Sequence, residues 1–136
     1  MVNTRRSVIP ETHRDILAAR AFAHVATVGP RGEPQSSPVW FDWDGRYLRF
    51  SQTTARQKYR NLRRNPRIAL SMTDPENPYR YLEIRGEVVR IEEDRDRAFI
   101  DALAKKYLGK DRYPWAQPDE ERVVMIVEPR HTTSMG

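Results

Sequence analysis

Hydrophobic and polar residues alternate along most of the chain with the two-residue period of half-buried β-strands. This pattern predicts strands at residues 22–29, 34–43, 46–51, 67–74, 79–93 and 122–129. Between the early strands, glycine, proline and the Asp44-Gly45 pair supply the turns expected of antiparallel hairpins. Elsewhere the apolar positions follow the spacing of a helix, which predicts helices at residues 11–20, 53–64 and 93–108.

The order of these elements is helix, three strands, helix, two strands, helix and strand. A doubly wound parallel sheet would need a regular alternation of strands and helices, which this order lacks. The pattern therefore predicts a mainly β fold with short helices, a closed or split antiparallel β-barrel. A length of 136 residues fits a single domain spanning residues 1–136.

Several local signals refine this prediction. Pro38 interrupts the strand at 34–43 and cannot donate a ladder hydrogen bond, so it predicts an edge, a bulge or a close approach by another group. Gly86 predicts a bulge in the fifth strand. Thr53 or Thr54 is predicted to cap the second helix, which would bury Ala55, Tyr59 and Leu62, and Gly109 is predicted to end the third helix.

Composition narrows the classes of function. The chain has 24 Lys and Arg against 19 Asp and Glu, a net charge of +5, which favours anionic partners. It has no cysteine, which excludes disulfides and cysteine nucleophiles, and its three histidines are too far apart for a metal site to be predicted. No apolar run reaches signal-peptide or membrane-spanning length, so a cytoplasmic protein without a membrane partner is expected. A hydrophobic content of 38% predicts a thin core and, with it, a symmetric homodimer.

The candidate chemistry lies in the second predicted helix, where five of nine residues are basic: Arg56, Lys58, Arg60, Arg63 and Arg64. Because helix side chains lean toward the N-terminus, Arg56 and Lys58 are expected to reach back over the helix start, beside Ser51 and Thr53. The positive charges, the hydroxyl groups and the unpaired backbone amides of a helix start can together bind a phosphate group. The alternatives are a capped helix with solvated arginines and a nucleic-acid surface. Acidic runs at 92–94 and 119–121 would repel a long phosphate backbone, so no nucleic-acid partner is predicted.

Three sequence pieces in a fixed order carry a resemblance to a known family: ATVGPRGEPQSSPVWF, RQKYRNLRRNPR and YLEIRGEVV. In this order the chain resembles the pyridoxamine 5'-phosphate oxidase-like split β-barrel proteins. Within them it is most similar to the branch that uses the deazaflavin coenzyme F420. The resemblance implies a split antiparallel β-barrel of the FMN-binding type, a homodimer, and two cofactors at the subunit interface.

The resemblance also implies roles for particular residues. Arg56 and Lys58 match the positions that hold the cofactor phosphate, with Ser51 and Thr53 beside them. The strand along the ring system would contribute Gln35, Ser37, Pro38 and Val39. Tyr79 and Tyr81 would come from the partner chain. The three tryptophans, Trp40, Trp43 and Trp115, are assigned to cores and interfaces, where aromatic residues of barrels are most common.

The implied function is an F420-dependent oxidoreductase that transfers a hydride between the deazaflavin and a small organic acceptor, with no catalytic residue assigned. The ending PRHTTSMG does not resemble the substrate-binding segment of true pyridoxamine phosphate oxidases, so oxidation of vitamin B6 is not expected. Two alternatives stay open: an FMN-binding oxidoreductase of the same fold, and a non-catalytic protein that carries the cofactor or binds a tetrapyrrole.

Overall fold

The computed structural model describes residues 8–136. The seven strands are β1 (Ala23–Val28), β2 (Pro34–Val39), β3 (Phe41–Trp43), β4 (Leu48–Thr53), β5 (Arg67–Asp74), β6 (Asn77–Glu93) and β7 (Arg122–Met135). The three α-helices are α1 (Arg14–Ala18), α2 (Gln57–Arg64) and α3 (Ala98–Leu108). A short 3₁₀ turn, Glu11–His13, leads into α1. Within residues 8–136, no helix combines the length and the apolar character needed to cross a membrane.

All strand pairs are antiparallel, in the order β2-β1-β5-β6-β7-β4-β3. The edge strands β2 and β3 are neighbours in the chain, with Trp40 alone between them. Two edges joined by one residue must lie at the same place, so the sheet curls back on itself. The prediction of a mainly β, split antiparallel barrel is confirmed. The single strand predicted at 34–43 is wrong, because the chain leaves one edge at Trp40 and joins the other.

The interior of the curled sheet is apolar, and β4 alternates strictly between buried and half-buried positions. Its largest fully buried side chains include Phe41, Phe50, Leu70, Met72, Leu82, Ile84 and Met125. α1 adds Ile16 and Leu17 to this core. Burial of each such side chain stabilises the fold by roughly 1.5–3 kcal/mol relative to exposure.

The ladder is irregular at Gly86, as predicted, but the bulged strand is β7 and not β6, the strand predicted to bulge: Arg85 pairs with His131 and Gly86 with Pro129, so Arg130 is the inserted residue. The register between β6 and β7 shifts between Arg85 and Gly86, and a Cβ on Gly86 would lie 2.2 Å from the carbonyl oxygen of Glu128. Only glycine permits this close approach of the two backbones. Pro129 pairs with Gly86 inside the ladder and does not end the strand. β7 therefore continues to Met135, beyond the end predicted at Pro129.

The start of α2 differs from the prediction. Thr53 is the last residue of β4, and the Thr54 amide donates to the carbonyl oxygen of Glu121 at 3.0 Å, so neither threonine caps the helix. The residue before the helix is Arg56, in extended conformation and without a capping side chain. Consequently Ala55 is exposed ahead of the helix, and the apolar face is reduced to Leu62 and the half-buried Tyr59.

α3 also begins later than predicted, at Ala98 instead of residue 93. The carboxylate of Asp94 accepts hydrogen bonds from the amides of Phe99 at 3.1 Å and Ile100 at 3.0 Å, which fixes the start of the helix from outside it. Gly109 ends the helix with φ 71°, as predicted.

Candidate functional site

A cleft of about 410 Å³ opens beside the break at Trp40, a volume within the usual range for small-molecule sites. The strand β2 and the break line one side with Ser37, Pro38, Val39 and Trp40. The remaining lining residues come from the position before β1, the end of β4, the start of α2, α3 and the segment that leads into β7: Phe22, Ser51, Gln52, Thr53, Arg56, Lys58, Ile100, Leu103, Tyr113, Trp115 and Arg122.

Lys58 is the most unusual group in the cleft, because its side chain is only 6% exposed. Its Nζ donates to Ser37 Oγ at 2.7 Å, and within residues 8–136 it makes no ion pair with a carboxylate. Burial, followed by the nearby positive charge of Arg56, lowers the pKa of Lys58 to about 8. An ammonium group buried without a counter-charge costs free energy, which a bound anion would offset.

A buried polar network holds Lys58 in this position. Asn61, 1% exposed, donates from Nδ2 to Thr27 Oγ1 at 3.0 Å, and its Oδ1 accepts from Gln57 Nε2 at 2.8 Å. The apolar side chain of Leu62 is buried beside these groups on α2. Because Asn61 ties α2 to β1, the helix has a fixed rotation that points Lys58 toward β2.

Arg56 lies directly before α2 and lines the same cleft, but its side chain is exposed. Because Arg56 precedes the helix, it does not share a helical face with Arg60 and Arg63. Arg56 and Lys58 therefore form the cationic end of the cleft, separate from the arginines on the outer face of α2.

Arg122 is a third cation of the cleft, and sequence reasoning missed it. Its Nη1 donates to Ser51 Oγ at 3.1 Å, its Nε donates to Glu120 Oε1 at 2.9 Å, and its guanidinium lies 4.7 Å from the ring centre of Tyr113. Its charge is thus already balanced by Glu120. An isolated arginine at the head of the apolar run VVMIV was the signal that could have revealed it.

Aromatic rings form one wall of the cleft. The rings of Trp40 and Trp115 lie 6.2 Å apart, and Tyr113 contacts both edge-on, at 5.9 Å from Trp40 and 5.7 Å from Trp115. Trp115 is 57% exposed although it is apolar. The sequence assigned Trp40 and Trp115 to packing roles, but in the structure their rings line the cleft. We call Trp40, Tyr113 and Trp115 the aromatic wall.

The structure brings together seven of the ten site residues predicted from the sequence: Ser37, Pro38, Val39, Ser51, Thr53, Arg56 and Lys58. The other three do not line the cleft of this chain. Gln35 Oε1 accepts from Thr27 Oγ1 at 3.4 Å, so it belongs to the network behind the strand. Tyr79 is 80% exposed on β6, and Tyr81 follows it on the same strand.

The cleft has no metal-binding group among its described residues. More generally, no cluster of three or more His, Asp or Glu side chains in residues 8–136 has the arrangement needed to hold a metal ion. The groups that the cleft offers a ligand are therefore several hydroxyls, the aromatic wall and two cations that have no carboxylate partner in the described part of the chain.

Comparison with known proteins identifies relatives of this fold. An F420 reductase of known structure is 43% identical to this chain, with a TM-score of 0.83, and the match covers 92% of this chain and 98% of the reductase. A conserved hypothetical protein from Mycobacterium tuberculosis is 22% identical, with a TM-score of 0.73 and coverage of 98% and 89%. General Stress Protein 26 from Bacillus anthracis is 19% identical, with a TM-score of 0.68 and coverage of 92% and 92%.

The last two similarities show the shared fold alone. No match was found among curated proteins. The family model described as pyridoxamine 5'-phosphate oxidase matches residues 9–136, which is nearly the whole chain. The resemblance noted in the sequence is thereby confirmed for the family and the fold, and the chain belongs to the pyridoxamine 5'-phosphate oxidase family.

Proposed function

We propose that the protein is an F420-dependent oxidoreductase that transfers a hydride between the deazaflavin and a small organic acceptor. The identity of 43% to an F420 reductase supports this choice within the family. The single observation that carries it is the buried Lys58 ammonium, which faces the cleft without a carboxylate partner in the described chain.

The residues of the cleft fit such a coenzyme at both ends. The ammonium of Lys58 and the guanidinium of Arg56 offer opposite charge to a phosphate, and the hydroxyl groups of Ser51 and Thr53 offer hydrogen bonds. At the other end, aromatic rings and apolar side chains offer flat surface to a ring system. The same features fit FMN, so the choice between the two coenzymes rests on the comparison with the reductase.

When bound, the deazaflavin supplies the hydride chemistry, and the protein contributes binding, orientation and exclusion of water. Lys58 and Arg56 hold the charged tail. Pro38 lies on an edge strand, has no N–H group and is exposed, so the backbone of β2 is open to a ligand there. The aromatic wall shields the reacting ring from water and offers a surface against which an acceptor stacks.

We further propose that the working unit is a homodimer in which Tyr79 and Tyr81 of one chain complete the cleft of the other. Exposed rings support this: Phe22 is 53% exposed, Trp115 is 57% exposed and Tyr79 is 80% exposed. Large apolar groups left in water favour association with a second surface. Sedimentation equilibrium is expected to give twice the mass of the chain, and a monomer at micromolar concentration would contradict the proposal.

Titration of the purified protein with F420 and with FMN, followed by fluorescence, tests the function. We expect saturable binding of F420 that is tighter than that of FMN. Because each anchor makes a charged interaction, Arg56→Ala and Lys58→Ala should each weaken F420 binding roughly 10- to 100-fold. Arg60→Ala is the matched control, since Arg60 is an exposed cation of α2 outside the cleft.

Each alternative gives a different result in this experiment. Unchanged affinity in both anchor variants would contradict the anchor assignment. A yellow preparation with the absorption spectrum of FMN would favour the FMN-binding oxidoreductase. Tight F420 binding without reduction of any tested acceptor would favour a cofactor carrier.

A further inference from the structure

The open seam of the barrel is closed by two side chains of α3. Phe41 begins the edge strand β3, and both its backbone groups bond to this helix: its amide donates to Tyr107 Oη at 3.2 Å, and its carbonyl oxygen accepts from Lys106 Nζ at 2.8 Å. In an antiparallel strand the N–H and C=O of one residue point to the same side. Lys106 and Tyr107 therefore supply the hydrogen bonds that another strand would supply at a closed seam.

The hydroxyl group of Tyr107 connects three parts of the chain. It accepts from the amide of Phe41 and donates to the carbonyl oxygen of Ala21, which lies two residues before β1, the strand that pairs with β2. Burial raises the pKa of Tyr107 to about 12, so the hydroxyl keeps its proton and donates throughout the neutral range. The Tyr107 hydroxyl thus links α3 both to Phe41, the first residue of β3, and to Ala21, near the start of β1.

The ring of Tyr107 contacts two residues that line the cleft. It stacks on Trp40 with ring centres 5.2 Å apart and planes 5° from parallel, and on Phe22 with centres 5.9 Å apart. Both Trp40 and Phe22 line the cleft, whereas Tyr107 and Lys106 do not. The ammonium of Lys106 lies over the rings of Phe41 and Tyr107, at 4.5 Å and 5.0 Å from their centres.

We propose that Lys106 and Tyr107 are positioning residues that fix the break between β2 and β3 and thereby set the orientation of Trp40 in the aromatic wall. They act on a ligand only through Trp40 and the adjoining end of β2. The effect on coenzyme binding rests on the proposed function, but the effect on Trp40 does not. If the bonds from Lys106 and Tyr107 are lost, the backbone of Phe41 loses its hydrogen-bond partners on α3. Trp40, the neighbouring residue, is then no longer held at a fixed distance from Arg56 and Lys58.

The variants Tyr107→Phe and Lys106→Met test this proposal, and both keep most of the side chain's bulk. Tyr107→Phe removes the hydroxyl that bonds to Phe41 and Ala21, and Lys106→Met removes the ammonium that bonds to the carbonyl oxygen of Phe41. Lys105→Met is the matched control, since the Lys105 ammonium pairs with Asp111 and its side chain is 65% exposed. Two measurements are made on each protein: the near-ultraviolet circular dichroism of the tryptophans without ligand, and the Kd for F420. Loss of a buried hydrogen bond predicts a Kd about tenfold higher.

We expect both variants to change the tryptophan spectrum and to weaken F420 binding, the control to match the wild type, and Lys106→Arg to recover both signals. If Lys106→Met does not fold, as shown by the loss of its cooperative unfolding transition, the proposal is judged from Tyr107→Phe and Lys106→Arg. Wild-type spectra, or a wild-type Kd, in Tyr107→Phe would overturn the proposal. If the wild type itself binds neither F420 nor FMN, the proposed function fails, and the ligand-free spectra then decide the positioning role by themselves.

Discussion

The two ends of the cleft are built in opposite ways. The cationic end comes from one short segment, in which Arg56 and Lys58 are two residues apart and the hydroxyls of Ser51 and Thr53 precede them by a few positions. The aromatic wall joins Trp40 to Tyr113 and Trp115, which lie more than seventy residues later in the chain. Electrostatic attraction at the first end fixes where a charged tail binds, whereas the second end depends on tertiary packing for its shape.

The energetic difference between the ends follows from their surroundings. Lys58 is buried and has no carboxylate partner within residues 8–136, so its charge destabilises the folded protein before any ligand binds. Trp115 is more than half exposed, so its apolar surface is removed from water only when a ligand or a second chain covers the ring. The cationic end should therefore dominate affinity, and the wall should make a smaller contribution.

The largest expected effect is that of Lys58→Met. Removal of the ammonium should weaken F420 binding roughly 10- to 100-fold, because a charged interaction worth about 1.5–3 kcal/mol is lost. In the same variant, thermal unfolding of the unliganded protein should move to higher temperature, because an unpaired buried charge is gone. Calorimetry of the free protein and fluorescence titration measure the two changes. Weaker binding together with a lower unfolding temperature would show that Lys58 has a structural role instead.

The next effect is on pH dependence. Since the pKa of Lys58 is lowered to about 8, its charge is lost as the pH rises through that value, and affinity for F420 should fall by up to about tenfold per pH unit above it. Above pH 8 the unfolded chain binds more protons at this lysine than the folded chain does. Stability of the unliganded protein at this site should therefore rise from about pH 8 toward the ordinary pKa of lysine.

The charged groups near Lys58 make this test specific. Arginine side chains in general do not titrate in this range, and Arg122 is paired with Glu120. Lys58→Arg keeps a cation at the site and should bind F420 with little change between pH 7 and 9. A loss of affinity in this variant as steep as in the wild type would assign the titration to another group.

The smallest effect is expected at the aromatic wall. Trp115→Ala should weaken F420 binding by about 5-fold, since contacts of one ring contribute about 1 kcal/mol. Its unfolding temperature should stay near that of the wild type because the ring is 57% exposed. Val89→Ala, an exposed apolar residue outside the cleft, is the control. A loss in Trp115→Ala that exceeds the loss in Lys58→Met would reverse the order of the two ends.

This contrast also explains how much of the structure was predictable. The bounds of β5 and the helix end at Gly109 follow from local patterns, and the structure has them where the sequence predicts them. Gly86 marks the irregular point of its ladder, although the inserted residue belongs to the neighbouring strand β7. The break at Trp40 could not be predicted in this way. The alternation of polar and apolar residues continues across it, and only closure of the sheet requires the chain to change edges there.

The same limit applies to the site. Arg56 and Lys58 stand out because a dense basic segment next to predicted turns has few structural explanations. The roles of Trp40 and Trp115 depend on contacts across the whole chain, and a local pattern assigns such rings to the core. Arg122 was overlooked for a related reason, since its bond to Ser51 joins β7 to β4.

The most direct test of the central claim is a crystal structure of the protein with F420 bound. We expect a phosphate oxygen to accept a hydrogen bond from Lys58 Nζ, Arg56 to lie beside the same phosphate, and the ring system to lie along β2 toward Trp40. A coenzyme bound elsewhere, or bound in this cleft with its phosphate away from both cations, would contradict the account.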